Sequence, residues 1–452
     1  MGRMMKDSGI PWIGIMPAKW ELHRMKSCVE DRTSGAWGNE AADDDGDTIC
    51  LRIADFDYSK FRFKDTPIDE LTIRNYDGET IRKLLLKKGD ILIEKSGGGE
   101  KTPVGRTVIF DKDYPALYAN FMDRIRCSDL VTSDWMQYVF VTFYKNGYSK
   151  NYIKQTTGIQ NLDLTSMLAC ERIPVPSTEE QNKIVDFLDS ECDQIDAVIE
   201  ETRASIEEYK KLKQAVITEA VTKGIKKNRP LKDSGLLWVE DIPADWNISR
   251  IKALFNFGKG LPITKDNLLA EGIAVISYGQ IHSKTNTGVK LQEDLFRFVS
   301  EQYLISNPSS LVKQSDFIFA DTSEDLEGCG NCVYVDSDME LFAGYHTIIF
   351  QSLDRADKKY LAYLFKTDAW RSQIRSKVSG VKLFSISRKI LNDATVLLPS
   401  EEEHQEIVAF LDEKCAGIDA LIAKKEQLIS EMDIYKRALI FEYVTGKKEV
   451  PA

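Results

Sequence analysis

EEQNKIVDFLDSECDQIDAVI, residues 179–199, decides the fold because it returns as EEHQEIVAFLDEKCAGIDALI at residues 402–422. A second motif is also duplicated: KDSGIPWIGIMPAKWELHRMK at 6–26 returns as KDSGLLWVEDIPADWNISRIK at 232–252. The offsets of 223 and 226 residues are nearly equal, so the 452 residues form two copies of one unit. Such a unit is too long for a solenoid repeat and is large enough to bury its own core.

Each repeated stretch predicts a long helix. Ser177 with Glu180, and Ser400 with Glu403, have the spacing of a capping box at a helix start. Apolar residues then recur at alternating steps of four and three, which is the heptad pattern of a coiled coil. The seam comprises Leu188, Cys192, Ile195, Ile199, Thr202, Ile206, Tyr209, Val216 and Ala220 in the first copy, and Leu411, Cys415, Ile418, Ile422, Lys425, Ile429, Met432, Leu439 and Tyr443 in the second. We expect two antiparallel helices, about 65 Å long, that pair through these seams; the alternative is that each helix packs on its own copy.

Between these motifs the two copies diverge, and both middle regions consist largely of strand-like runs. GDIL at 89–92 corresponds to SDFI at 315–318, so one framework carries different loops. The predicted fold class is α+β: two mixed α/β domains joined by two long antiparallel helices that form a coiled-coil spacer, with pseudo-twofold symmetry. The predicted boundaries are 1–177 for the first domain, 178–222 for the first helix, 223–400 for a linker and the second domain, and 401–452 for the second helix and a tail.

The net charge of −11 is concentrated on the predicted helices. Residues 178–222 carry 5 basic and 12 acidic side chains and residues 401–445 carry 5 and 11, so the helices hold −13 and the remainder +2. The acidic total therefore does not exclude nucleic-acid binding by local basic patches. No apolar run approaches the length of a membrane helix, no signal peptide is apparent and the eight cysteines are scattered, so we expect a cytoplasmic protein.

Taken together, these motifs make the chain resemble the specificity (S) subunits of Type I restriction–modification systems. The similarity covers essentially the whole length. It rests on the repeated opening motif, on GDILI at 89–93, on GIQNL at 158–162 and on the duplicated Glu-Glu…FLD…ID run. The second copy departs from the pattern at His404, where the first has Gln181.

The resemblance implies a non-catalytic DNA-recognition subunit of a methyltransferase and endonuclease complex. Each of two target-recognition domains would read one half of a bipartite double-stranded DNA target, which we expect to be asymmetric because the two middle regions differ. The paired helices would fix the gap between the halves. Two methylation (M) subunits and restriction (R) subunits would be the protein partners. S-adenosylmethionine would be held by the M subunits, and ATP and Mg by the R subunits, so that this chain itself would hold no cofactor.

Two other functional classes are compatible with parts of the sequence: a coiled-coil scaffold that binds only protein, and a DNA-modifying enzyme with unrecognised motifs. The sequence has no Gly-x-Gly-x-x-Gly loop, no Walker lysine loop and no Asn-Pro-Pro-Tyr-type tetrapeptide, and we predict no catalytic residue. Cys329 and Cys332 form a lone CxxC without paired histidines. Because Cys332 also aligns with the strand residue Thr107, we predict no metal site.

Basic residues of three stretches are the candidate DNA contacts. The glycine-rich segment 97–105 is predicted to be a hairpin loop, and residues 135–162 and 369–392 lack acidic residues and precede the long helices. The candidates are Lys95, Ser96, Lys101 and Arg106 in or beside the loop, Lys150, Tyr152 and Lys154 in the second stretch, and Arg371, Arg375, Lys377 and Lys382 in the third. The alternative for the two acid-free stretches is a solvated helix face whose aromatic residues turn to the core. We expect the tryptophans of the opening motif to pack each domain against its helix start, namely Trp12, Trp20, Trp238 and Trp246.

Overall fold

The structure is a computed structural model that describes residues 3–156, 158–354, 356–380 and 382–451. Tertiary contacts divide the chain into two compact units. The first contains the residues up to Ala204 together with those from Lys425 onwards, and the second is Ser205–Lys424. The division therefore falls inside both long helices, whereas the boundaries predicted from the sequence follow the helix ends.

The first unit is built around a six-stranded sheet. Its strands in chain order are β1 Met5–Asp7, β2 Ile15–Pro17, β3 Glu21–Arg24, β4 Val29–Ser34, β5 Asp47–Leu51, β6 Phe56–Asp57, β7 Arg62–Phe63, β8 Ile73–Asn75, β9 Ile91–Glu94, β10 Ser96–Gly97, β11 Thr107–Ile109, β12 Ala116–Tyr118, β13 Met122–Cys127, β14 Ile153–Thr156, β15 Ile159–Leu162 and β16 Arg172–Val175. The central sheet has the order β4-β13-β9-β11-β7-β6, and β12-β5-β8 and β10-β15-β14 form two smaller sheets. Every residue of β9 and β11 is buried, as expected for short runs rich in β-branched residues at the centre of a covered sheet.

The second unit repeats the centre of this arrangement. Its strands are β17 Leu231–Leu236, β18 Val239–Pro243, β19 Asn247–Arg250, β20 Phe255–Lys259, β21 Ile273–Ile276, β22 Arg297–Val299, β23 Leu311–Val312, β24 Phe317–Ala320, β25 Thr322–Ser323, β26 Cys332–Tyr334, β27 Leu341–Ala343, β28 Thr347–Ser352, β29 Phe384–Ser385 and β30 Thr395–Leu398. The sheets β20-β28-β24-β26 and β22-β21-β27-β23 hold the core, and β25 pairs with β29. The antiparallel run β28-β24-β26 corresponds to β13-β9-β11, which confirms that both domains share one mixed α/β framework.

The same turn precedes a central strand in both units. Gly89 and Ser315 have positive φ angles of 90° and 73°, and each is followed by a buried aspartate, Asp90 or Asp316. Each aspartate accepts a hydrogen bond from the backbone N–H three residues earlier, at 2.8 and 2.9 Å. The predicted correspondence of GDIL with SDFI is thus confirmed.

Both predicted long helices are present. The helices are α1 Gly78–Leu84, α2 Ser133–Lys145, α3 Leu164–Cys170, α4 Thr178–Lys223, α5 Tyr278–Ile281, α6 Gln302–Ser306, α7 Lys359–Phe365, α8 Asp368–Arg375, α9 Arg388–Asn392 and α10 Glu401–Val444. The serine half of each predicted capping box is formed, because the hydroxyls of Ser177 and Ser400 each accept a hydrogen bond, at 3.3 Å, from the N–H of the glutamate three residues later. The glutamate carboxylates bind tryptophan and arginine side chains instead.

In the first unit, the start of α4 lies against the end of α10. The rings of Phe187 and Tyr443 are 4.7 Å apart, and Lys436 Nζ donates to both carboxylate oxygens of Asp196 at 2.7 Å. Residue numbers rise along one helix as they fall along the other, so the pair is antiparallel. Seam residues of both helices belong to the hydrophobic core of the first unit. They are Leu188, Cys192, Ile195 and Ile199 of α4, and Leu439 and Tyr443 of α10.

In the second unit, the end of α4 lies against the start of α10 in the same orientation. Lys213 Nζ donates to Asp419 at 2.6 Å, and Ile217 of α4 shares a core with Leu411 and Cys415 of α10. The antiparallel pairing predicted from the heptads is therefore confirmed within each unit. The alternative prediction, that each helix packs on its own domain, also holds in part, because the helices contact the sheets of each unit as well.

A cluster that we call the helix clamp fixes the start of each long helix. In the first unit Trp20 Nε1 donates to the Glu180 carboxylate at 2.8 Å, and Arg3 Nη1 pairs with the same carboxylate at 2.6 Å. Lys6 Nζ donates to the Trp20 carbonyl at 2.6 Å. The opening motif thus closes over the acidic first turn of α4, where the helix N-terminus itself also favours negative charge.

The second unit repeats this clamp residue for residue. Trp246 Nε1 donates to Glu403 at 3.1 Å, Arg229 pairs with Glu403, and Lys232 Nζ donates to the Trp246 carbonyl at 2.6 Å. Trp20 and Trp246 are fully buried. The prediction that the opening-motif tryptophans pack the domains against the helix starts is confirmed for these two residues.

Within the described ranges, no helix combines the length and the apolar character required to cross a membrane.

Candidate nucleic-acid interface

The sheet β10-β15-β14 brings two of the predicted basic stretches together. Ser96 of β10 pairs with Asn161 of β15, and Asn161 pairs in turn with Lys154 of β14. The Ser96 hydroxyl donates to Asn161 Oδ1 at 2.6 Å. The glycine-rich loop and the stretch 135–162 are separated by dozens of residues in the chain, yet they form one small sheet, which we call the first hairpin surface.

A buried carboxylate anchors this surface to the central sheet. Asp123 of β13 is fully buried and accepts hydrogen bonds from Arg32 Nε at 2.8 Å and from the Ser34 hydroxyl at 2.7 Å. Lys95 Nζ lies 3.0 Å from the same carboxylate. Two cations thus share one anion, so these three side chains carry a net positive charge, and both cations remain partly exposed.

Arg106 lies beside the loop but its guanidinium is engaged. Its Nε and Nη2 donate to both oxygens of Glu94, at 2.9 and 2.6 Å, and its guanidinium carbon lies 3.7 Å from the centre of the Tyr58 ring. Burial and the neighbouring carboxylate raise the pKa of the Tyr58 hydroxyl, which also donates to Glu94. A DNA contact by Arg106 would compete with its two hydrogen bonds to Glu94, and this contact stays a prediction. The candidate Lys101, in the loop itself, is exposed.

The candidates after α2 differ in their accessibility. Lys150 is exposed, and Tyr152 donates its hydroxyl to Glu171 at 2.5 Å. Lys154 Nζ donates to Asp163 at 2.6 Å while its side chain is 74% exposed. The hydrogen bond from Lys154, followed by that from the Ser166 backbone, lowers the pKa of Asp163 to about 2. Such an exposed pair exchanges partners readily, so Lys154 is available to a phosphate.

The second unit has a corresponding but chemically different surface. β25 pairs with β29 through Thr322 with Ser385 and Ser323 with Phe384, and we call this the second hairpin surface. Residues 95–106 carry three basic side chains and one acidic side chain, whereas the segment after β25 is acidic and contains Glu324, Asp325 and Glu327. The candidate Lys382, which precedes β29, is exposed.

The other candidates of the second unit lie on and after α8. Arg371 Nε donates to the Phe365 carbonyl at 2.8 Å, and burial lowers the pKa of Arg371. Arg375 donates to Asp368 at 2.9 Å and to the Glu327 carbonyl at 2.6 Å. Lys377 is exposed. Contacts of all these residues with DNA stay predictions, with Lys377 and Lys382 the most accessible.

Each surface also carries an exposed aromatic residue that no motif or charge pattern in the sequence indicates. Phe121, which precedes β13, is half exposed, and its carbonyl accepts from the N–H of Lys95 at 2.9 Å. His346, which precedes β28, takes the same place: its carbonyl accepts from the N–H of Asp321 at 3.1 Å, and its ring is largely exposed. Only the pairing of distant segments reveals that these residues are equivalent and adjacent to the hairpins.

The side chains of the two hairpin surfaces are of the kinds that bind nucleic acid. They combine flexible cations, amide and hydroxyl groups and flat aromatic rings, which are groups that can contact phosphates, base edges and base faces respectively. Among the described residues, no group of three or more His, Cys, Asp or Glu side chains is placed to hold a metal ion. Cys332 begins β26 as Thr107 begins β11, in agreement with the predicted alignment.

Comparisons with known proteins agree with this picture. A family model described as the Type I restriction modification DNA specificity domain matches residues 44–208 and 243–431. The Type I restriction enzyme MjaVIII specificity subunit of Methanocaldococcus jannaschii is 24% identical over 315 residues, which cover 68% of this chain and 70% of the relative. The putative Type I restriction enzyme MjaX specificity subunit of the same organism is 23% identical over 456 residues, covering 97% and 96% of the two chains.

Two solved structures share the fold. A chain from a study of complex assembly and conformational transition in the type I R-M system superposes with a TM-score of 0.70 at 14% identity, covering 96% of this chain and 99% of that one. The HsdS subunit from Thermoanaerobacter tengcongensis gives a TM-score of 0.50 at 12% identity, with coverage of 96% and 98%. At these identities the similarity concerns the architecture alone.

Proposed function

This chain belongs to the family of Type I restriction–modification DNA specificity subunits, and we propose that each of its two units reads one half of a bipartite, asymmetric DNA target. The observation that carries this proposal is the contrast between the repeated helix clamps and the unlike hairpin surfaces. A duplicated framework with two different reading surfaces fits two different half-sites.

The chain acts by binding, and we propose that it performs no chemistry of its own. Methylation would be carried out by two M subunits that hold S-adenosylmethionine, and cleavage by R subunits that use ATP and Mg. Acidic side chains dominate both long helices. They disfavour DNA there and leave these helices to protein partners, while the basic residues of the hairpin surfaces face the duplex.

We further propose that the two helices set the gap between the half-sites. An α-helix rises 1.5 Å per residue and B-DNA about 3.4 Å per base pair along each strand, so seven residues correspond to about three base pairs. Deleting one heptad from each helix, in the stretches 200–206 and 423–429, keeps both seams in phase.

Methylome sequencing of cells that express this chain with its methylation subunits tests both ideas. We expect one bipartite, asymmetric motif for the wild type, and the same two half-sites with a shorter gap for the deletion variant. A contiguous or palindromic motif would contradict two-unit recognition. An unchanged gap in a folded deletion variant would contradict the spacer role.

A further inference from the structure

The second unit contains a polar cavity of about 300 Å³ beside α7 and α8. Two cations, Lys366 and Arg371, line it together with polar side chains and one carboxylate, namely Asn286, Asn331, Ser283 and Asp368. The Asn286 amide already donates to the carbonyls of Ile281 and Cys332, so the two cations are the groups that could hold a small oxyanion here.

Neither cation has a carboxylate partner among the described residues. Lys366 Nζ donates to the Thr287 carbonyl at 2.6 Å, and Arg371 Nε donates to the Phe365 carbonyl at 2.8 Å. An ammonium has three N–H donors and a guanidinium has five. Each cation uses one of them on a neutral acceptor, so two remain on Lys366 and four on Arg371. Half-buried charges of like sign in one cavity are costly unless an anion joins them.

The nearest carboxylates are already engaged. Asp419 accepts both of its short contacts from Lys213 at 2.6 Å, and Asp368 pairs with Arg375 at 2.9 Å. The cavity therefore keeps an excess of positive charge after every local ion pair is counted.

The first unit provides an internal control for Lys366. Tyr138 and Tyr363 correspond, since they donate to the equivalent Asp189 and Asp412 at 2.5 and 2.7 Å. Three residues further along each helix, the first unit has Val141, which is buried, where the second has Lys366. The framework thus accepts an apolar residue at this position, and folding alone does not require a lysine.

Burial, together with the charges of Lys213 and Arg371, lowers the pKa of Lys366 to about 8. A destabilised cation of this kind is common where a site awaits a charged ligand.

We propose that Lys366 and Arg371 bind one phosphate group in this cavity, either as a free phosphate ion or as a phosphodiester of bound DNA. The guanidinium supplies a planar fork for two phosphate oxygens, and the ammonium supplies a point charge to a third. Asn286 and Asn331 lie beside this position as part of the cavity wall.

Titration of the full-length chain with inorganic phosphate tests the site without DNA. We expect saturable binding by calorimetry and a rise in Tm for the wild type. Lys366→Val and Arg371→Gln should each weaken binding by about tenfold or more, with partial recovery in Arg371→Lys. Lys265→Gln, an exposed lysine of the same unit, is the matched control and should bind as the wild type does. Circular dichroism verifies that Lys366→Val is folded, as the valine of the first unit predicts.

A second arm identifies the source of the phosphate and rests on the proposed DNA function. If a DNA phosphate occupies the cavity, Lys366→Val should flatten the slope of log affinity against log salt by about one, and phosphate should compete with DNA. An unchanged slope together with phosphate binding identifies a free anion. The proposal is overturned if wild-type protein binds no phosphate and Lys366→Val leaves the salt slope unaltered. Absence of any sequence-specific DNA binding by the wild type would instead overturn the proposed function and leave the phosphate titration valid.

Discussion

The helix clamps are nearly identical in the two units, whereas the hairpin surfaces of the two units differ. Trp20 with Glu180 in the first unit and Trp246 with Glu403 in the second make the same hydrogen bond. By contrast, the strand pair that follows the central strand is bordered by Lys95 and Lys101 in the first unit and by Glu324, Asp325 and Glu327 in the second. Similarity therefore marks the parts that hold the helices, and difference marks the parts that we expect to touch the target.

This contrast separates two kinds of energetic effect. Changes in a clamp should alter folding of the unit that holds it, because the clamp residues are buried and satisfy one another. Changes on a hairpin surface should alter DNA binding with little effect on folding, because the side chains are exposed. The expected effects below run from the largest to the smallest.

Removing the clamp carboxylate should have the largest effect. Glu403 is 2% exposed and binds both Arg229 and Trp246. Glu403→Ala leaves the buried indole N–H of Trp246 unpaired and leaves the guanidinium of Arg229 with only the exposed Asp245 as a partner, so we expect a loss of about 3–5 kcal/mol in the free energy of unfolding. Chemical denaturation followed by tryptophan fluorescence measures it.

The control is the exposed neighbour Glu402, whose replacement by alanine should change stability by less than about 0.5 kcal/mol. Glu180→Ala should fall between the two, since Glu180 is about one-third exposed. Equal losses for Glu403→Ala and Glu402→Ala would show that the clamp is not what holds the helix start.

Each unit also has an equivalent ion pair between the two long helices, Lys436 with Asp196 in the first and Lys213 with Asp419 in the second. The two pairs differ in how deeply they are buried. Lys436 is buried and binds Asp196 and the Ser59 carbonyl, whereas Lys213 binds an Asp419 that is more than half exposed. We expect Lys436→Ala to cost about 3 kcal/mol and Lys213→Ala less than about 1 kcal/mol. Thermal unfolding of the two variants tests this, and a reversed order would refute burial as the deciding factor.

The sequence predicted the helices well because their signals are local. Capping serines, a seam in steps of four and three, and a motif that occurs twice are all readable within one turn or one period. The sequence does not predict partners for Lys213 of α4 and Lys436 of α10, because their contacts are not local. Only the partner helix shows that each meets an aspartate of the repeat, Asp419 or Asp196.

The candidate interface was predicted only in part. Lys154 and Ser96 were proposed from composition, but their shared sheet depends on pairing across a long loop, which periodicity does not encode. Composition also cannot distinguish an open cation from an engaged one. Arg106 and Lys101 look alike in the sequence, yet Arg106 is held by Glu94.

Because Lys366 can lose a proton and its counterpart Val141 cannot, we expect Lys366 to make the stability of the second unit depend on pH. With a folded pKa of about 8 against about 10.4 when unfolded, Lys366 binds fewer protons in the folded state between these values. Stability should therefore rise with pH across this window, by about 3 kcal/mol in all, and the cost of the buried ammonium is fully present below pH 8. The groups that set this pKa besides burial are Lys213, Arg371, Asp419 and Cys415.

Urea denaturation of the wild type and of Lys366→Val at a series of pH values isolates this contribution. The difference in stability between the two proteins should narrow as the pH rises from 8 to 10. A difference in stability that stays constant with pH would mean that the pKa of Lys366 is not lowered in the folded state.

Phe121 and His346 test whether the unlike surfaces read different halves of the target. Phe121→Ala should lower DNA affinity by about 1–2 kcal/mol through lost contact with a base, and should relax the preference at one half-site only. His346→Ala should act on the other half-site. Binding to DNA libraries randomised in each half, in the presence of the methylation subunit, measures both effects. Equal relaxation of both halves by either variant would contradict separate reading.

The smallest expected effect comes from the turn that both units share. Ser315 has a φ of 73° where the first unit has glycine, and a side chain in this region is strained by about 1 kcal/mol. Ser315→Gly should therefore raise the Tm slightly despite the extra freedom of glycine in the unfolded chain. Gly89→Ser should lower it, because a Cβ at residue 89 would also approach the Ser133 hydroxyl at 3.0 Å. Opposite signs from the two exchanges would show that this turn belongs to the common framework, where the units obey the same backbone requirement, and not to the surfaces on which they differ.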